Sequence, residues 1–130
     1  MGSVESPIDL KKNWFIGEDR VFSFTVFESD STPEEIEAGT AQAQDITGWE
    51  MEWILRRNPE DYSVSISKAT GGDGIDIPTG SDGVANLSIT DDDTIGLPAG
   101  RYFHTLRRTD SGAEEVLSFG SAVLRFSSAR

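Results

Sequence analysis

One histidine and no cysteine stand in this chain, and that narrows its chemistry at once. A Ser–His or Cys–His nucleophile would have to run through His104, and no Gly-x-Ser-x-Gly elbow accompanies it. His104 lies within RYFHTL, on the strand face shared by Tyr102 and Leu106, where a structural histidine is expected. Zinc would lack all but one of its usual nitrogen and sulfur ligands. No Walker or dinucleotide glycine pattern follows a strand and opens a helix. Carboxylates are abundant, yet no two are singled out as a glycosidase-type pair. The expectation is a protein that is not an enzyme, with no catalytic residue and no cofactor.

Two stretches raise the question of a hard cation. GGDGIDI, residues 71–77, fits the glycine–aspartate nonapeptide that binds calcium in stacked β-helix repeats. Such sites work as repeats, and there is one copy, so a glycine-rich connection between strands is expected. Thr90-Asp91-Asp92-Asp93 has the spacing of a capping box, with Asp93 in the usual Glu or Gln position. Carboxylates there meet unpaired backbone N–H groups and the positive end of a helix dipole. Calcium is the competing reading, but calcium loops alternate their ligands and usually add a later bidentate Glu. A structural cap is therefore expected, and no metal site is assigned.

Net charge is −12, from 23 acidic and 11 basic residues, which repels nucleic acid and anionic lipid at long range. The arginines form two doublets, Arg56-Arg57 and Arg107-Arg108, each ending a strand. On neighbouring antiparallel strands the doublets lie at opposite poles and make no single basic patch. Trp49 and Trp53 share a strand face with Met51 and Leu55 and fit a core. Of Trp14 and Phe15, one must point outward from an edge strand, which keeps a carbohydrate-binding module as an alternative of another class.

The elements that position these residues have a period of two almost throughout. RVFSFTVF puts Phe22, Phe24 and Val26 on one face, and WEMEWIL puts Trp49, Met51, Trp53 and Leu55 on one face. Residues 63–68 alternate with Val64 and Ile66 inward; Ala85, Leu87 and Ile89 form another inward set. Tyr102, His104 and Leu106 follow. Residues 116–119 and then Ala122, Leu124 and Phe126 complete the series, with Gly120 as a bend or bulge. Glycine, proline and Asp/Asn turns separate these runs. This spacing predicts an all-β, antiparallel sandwich of about seven to eight strands.

Residues 28–45 break the rhythm with a long polar loop, expected to be exposed and mobile, with one helical turn near residues 33–37. The whole chain, 130 residues, is one domain's length, and residues 1–7 are expected to form a flexible N-terminus. No apolar run reaches bilayer length, and the N-terminus lacks the order of a secretory signal. MGSVES matches the pattern for N-myristoylation but brings no basic support. The absence of cysteine leaves the redox compartment open.

Several short motifs recur in a familiar order. Trp14-Phe15-Ile16-Gly17-Glu18-Asp19 precedes the phenylalanine-rich strand, followed by Asp45-Ile46-Thr47-Gly48-Trp49 and Gly72-Asp73-Gly74-Ile75. Then come DTIGLPAGRY, residues 93–102, and EVLSFG, residues 115–120. From about Ile8 to Phe126 the chain resembles the small immunoglobulin-like domains of tailed-phage virion proteins, of the kind found at the N-terminus of baseplate upper proteins. Ile46 departs from the usual leucine, and the 28–45 loop is longer than expected. The resemblance implies an immunoglobulin-like fold and a non-enzymatic structural role in the virion, assembled in the host cytoplasm. That role is an adaptor attaching fibres or spikes near the tail or baseplate, with a capsid decoration (cement) protein as the alternative. No fibre-forming segment follows the domain, which suggests a free-standing subunit. The expected partners are other phage structural proteins and copies of the chain itself, with no nucleic acid and no membrane. Candidate partner contacts are Trp14, Phe15, Glu34, Glu35, Glu37, Arg56, Arg57, Arg107 and Arg108.

Overall fold

A computed structural model describes residues 3–5, 14–28, 32–58, 60 and 63–126. Its elements are β1 (Ser3–Glu5), β2 (Arg20–Phe27), α1 (Pro33–Ala38), β3 (Met51–Arg56), β4 (Ile66–Ala69), β5 (Ile75–Thr79), β6 (Val84–Ile89), α2 (Asp91–Thr94), β7 (Gly100–Arg108) and β8 (Glu115–Leu124). They form two four-stranded sheets, ordered β1-β2-β6-β5 and β4-β3-β7-β8, with every strand pair antiparallel. This is the strand order of an immunoglobulin-type sandwich carrying one added strand, β4, beside the third.

Alternation sets which side chains meet between the sheets. Phe22, Phe24 and Val26 of β2 and Ala85, Leu87 and Ile89 of β6 face Met51, Trp53 and Leu55 of β3 and Tyr102 and Leu106 of β7, and all are buried. Two hallmarks of the immunoglobulin sandwich are present: the buried tryptophan on the third strand, Trp53, and a tyrosine corner. The Tyr102 hydroxyl donates to the Pro98 carbonyl at 2.6 Å, locking the crossing from β6 to β7. His104 stands two residues later, where antibody domains place their second cysteine. Tyr102→Phe should lower stability by about 1–2 kcal/mol, because a part-buried carbonyl loses its donor. The check is a urea midpoint that falls with an unchanged slope.

Four expectations need correction. Val64 precedes β4 and is exposed rather than inward, and Phe126 is exposed beyond the end of β8. Trp49 lies outside β3 and is only partly buried, because its N–H closes a turn onto the Ile46 carbonyl at 3.0 Å, with Gly48 at φ 78°. The irregularity of β8 falls not at Gly120 but between its pairings with Leu106 and Arg107. Ser118 faces Leu106 and Val116 faces Arg107, so Leu117 is the additional residue of a bulge. Gly120 serves packing instead: a Cβ there would stand 3.3 Å from the His104 ring nitrogen Nε2.

Within the segment expected to be flexible, Ser3–Glu5 is an edge strand on β2; residues 1, 2, 6 and 7 lie outside the described residues. The long loop, expected to be exposed and mobile, is anchored at its base. Gln44 N–H donates to the Val26 carbonyl at 2.8 Å, Glu28 N–H to Gln42 at 2.9 Å and Ile46 N–H to Gly80 at 2.9 Å. Its helix α1 carries a capping box between Thr32 and Glu35, and Gly39 ends it in the left-handed conformation.

Candidate functional site

Asp93, with the residues around it, turns out to be a fold determinant. Thr90 N–H donates to Asp93 Oδ2 at 2.7 Å, and Lys68 Nζ reaches the same oxygen at 2.7 Å. Asp91 N–H donates to the Asp19 carboxylate at 2.8 Å. Thr94, fully buried, accepts from Gly17 N–H at 2.8 Å through its hydroxyl. Among the described residues, no group of three or more His, Cys, Asp or Glu side chains is arranged to hold a metal ion.

Burial raises the Asp93 pKa, but the Lys68 ammonium and the Thr90 N–H outweigh it and hold the carboxyl below 3.8. A depressed carboxylate stabilises the fold above its unfolded value; that stability is lost as pH falls through the lower folded value. Lys68→Met should therefore cost about 1–2 kcal/mol at neutral pH and flatten the acid limb of stability below 3.8. Equal losses in wild type and variant between about pH 7 and pH 3 would contradict this linkage.

His104 is buried, with its ring centroid 6.3 Å from that of Trp53, which places it in the core. Trp14 is fully buried and is corrected as a partner contact: the tryptophan of the pair turns inward and half-buried Phe15 bridges to Arg125. The arginine doublets do lie at opposite ends of the β3–β7 ladder, since Met51 pairs with Arg108 and Arg56 with Phe103. Arg57 stacks over the Tyr102 ring at 4.8 Å, and Arg108 over Trp49 at 3.8 Å. The Arg108 guanidinium hydrogen-bonds the Asp110 carboxyl and pulls its pKa down. Glu34, Glu35 and Glu37 are exposed on α1, well separated in sequence from either doublet.

Two surfaces remain. An open groove of about 630 Å³ is lined by Trp49, Glu50, Glu52, Thr70, Ile77 and the turn of the GGDGIDI stretch. That stretch crosses from β4 in one sheet to β5 in the other, with Gly71, Gly72 and Gly74 at positive φ and Ile75 buried, as a glycine-rich connection must.

The second surface is the outer face of β4-β3-β7-β8. Register places Ile54 beside Thr105, Thr105 beside Phe119, and Phe103 between Arg56 and Ser121. Phe119 is 78% and Val116 53% exposed, an unusual outlay of apolar area on one sheet face. Arg101, opposite Val123, and Arg107, opposite Glu52 and Val116, flank it. Alternation alone carried part of this signal: Ile54 and Phe103 are apolar residues at outward positions. Val116 was hidden because the bulge shifts the phase of β8, whereas Phe119 keeps the outward phase of Ser121 and Val123.

No family model matches the sequence, and no curated protein matches it. Among solved structures, the chain is similar to the soluble domain of PmoD from Methylocystis sp. ATCC 49242 (Rockwell). That match has 11% identity and a TM-score of 0.44, over 95% of this chain and 89% of that one. Among the described residues no helix is long and apolar enough to cross a membrane.

Proposed function

We propose that this chain is a non-enzymatic interaction domain, and that its working surface is the outer face of β4-β3-β7-β8. The observation that carries this reading is the exposure of Phe119 and Val116 on one sheet face, flanked by arginines. The inward placement of the sole histidine agrees with a binding rather than a catalytic role. Within that class, the ordered motifs around Gly17, Gly48, Gly74 and Tyr102 favour a structural protein of a tailed-phage virion. Its place there is an adaptor attaching fibres or spikes near the tail, with a capsid decoration protein as the alternative. The carbohydrate-binding reading loses its main support with the burial of Trp14.

The experiment is mass spectrometry of purified particles from the source phage, followed by immunogold electron microscopy with antibody to this chain. Label at the tail end is the expected result, and label over the head selects the decoration protein. Particles that lack the chain by both methods refute the virion assignment.

A further inference from the structure

We propose that the outer face of β4-β3-β7-β8 receives the acidic helix α1 of a second copy of this chain, in a head-to-tail contact. This deepens the interaction-domain reading and rests on it. The face is a basic island on an acidic protein: Arg56, Arg101 and Arg107 project from strands whose outward positions bring one carboxylate, Glu52, in a chain of net charge −12. Among the described residues neither Arg56 nor Arg101 makes an ion pair, and Arg107 is answered only by the long contact to Glu52 at 3.8 Å and by the nearby Glu114 carboxylate at the end of the face. A face-to-face pair of copies would set these arginines against each other over an apolar centre, and like charges there are destabilising. The occupant must therefore bring carboxylates.

Helix α1 brings them in a pre-ordered form. Thr32 N–H donates to Glu35 Oε1 at 2.9 Å, Glu35 N–H donates back to Thr32 Oγ1 at 3.1 Å, and Gly39 closes the other end. The helix thus holds its shape at the tip of an anchored loop, and docking it costs little ordering entropy. Glu35 is committed to the cap, which leaves Glu34 and Glu37, three residues apart on one side and about 5–6 Å between Cβ atoms. Arg56 pairs with Phe103, two residues along β7 from Arg101, so the two arginines are diagonal neighbours about 7–8 Å apart. Their long side chains close that difference, with Phe103 and Phe119 beneath the helix. The two surfaces belong to different parts of the molecule, so the contact is heterologous and propagates into a ring or a row, as a component used in many copies requires.

The test is sedimentation velocity on the full chain over a concentration series, at low and high salt. Mass should rise with concentration at low salt and fall back at high salt, since the ion pairs are exposed and screened. Arg56→Glu with Arg101→Glu, and separately Glu34→Lys with Glu37→Lys, should each weaken self-association by roughly tenfold or more. Thermal midpoints near wild type will show that these surface variants fold. Mixing the two charge-reversed variants should restore association, because each then offers the surface that the other lacks. A monomer at every concentration overturns the proposal, as does self-association that ignores reversal on α1. Either outcome leaves the virion assignment to the particle measurements above.

Discussion

Gly83→Ala is expected to destabilise the domain by roughly 3 kcal/mol, far more than an alanine at a turn glycine ordinarily costs. Gly83 follows the 3₁₀ turn Gly80–Asp82 and adopts φ 71°, a left-handed conformation that costs an L-residue roughly 1 kcal/mol. The site is also enclosed. An added Cβ would stand 2.7 Å from the Val26 carbonyl oxygen and 2.9 Å from that of Gln44. Both are backbone atoms of residues tied into the loop base, Val26 N–H donating to Gly83 at 2.8 Å and Gln44 N–H to the Val26 carbonyl at 2.8 Å, so neither yields cheaply. The alanine would push the base of the long loop away from β2 and take α1 with it. Two readouts separate the contributions: the urea midpoint reports the fold, and amide exchange at Gln44 and Ile46 reports the loop base. A loss below about 1 kcal/mol would mean that the loop base moves freely, against the reading of an anchored segment.

That glycine marks the boundary of what the sequence makes legible. Ser81-Asp82-Gly83 announces a turn, and the turn is there, but nothing local tells that residues 43–46 close over it. The strands were readable because each buries one face, so Phe22, Phe24 and Val26 or Met51, Trp53 and Leu55 alternate without interruption. Phase fails where the backbone departs from the ladder: at Leu117 the bulge turned Val116 outward, and the turn at Gly48 kept Trp49 out of the strand.

The motifs that suggested a family have structural explanations in this chain. Gly17 and Asp19 of the first motif hold Thr94 of the fourth and Asp91 just before it, across 77 and 72 residues. Asp45 accepts from the Thr47 N–H at 3.0 Å and hydroxyl at 2.6 Å, which folds the turn before Trp49. Their order therefore reports the sandwich and its crossings, whereas much of the candidate binding face, Ile54, Arg56, Phe103 and Arg107, lies outside every motif. Fold determinants are legible because they repeat a physical requirement. A docking face answers to its partner, and only the surplus of exposed apolar area betrays it.

Trp53→Ala should be the most damaging core substitution, at about 3–5 kcal/mol. Trp53 is fully buried, flanked across the ladder by Leu106 and Lys68, and packs at 31° to the His104 ring. Truncation would leave a cavity between two sheets that cannot collapse, because both are fixed by their own ladders. Against the 5–15 kcal/mol of an ordinary domain, the variant would be partly unfolded at warm temperatures. The indole N–H has no hydrogen-bond partner among the described residues, so Trp53→Phe removes an unpaired donor along with part of the volume. Phenylalanine should accordingly cost less than half as much as alanine, and a urea series on both variants decides it. If phenylalanine proved as costly as alanine, the indole nitrogen would be bonded and the packing account incomplete. The same series reaches function, because Ile54 and Glu52 project outward from the strand that Trp53 anchors inward. Loosening β3 should therefore weaken self-association through a face that the substitution never touches, in proportion to the loss of stability.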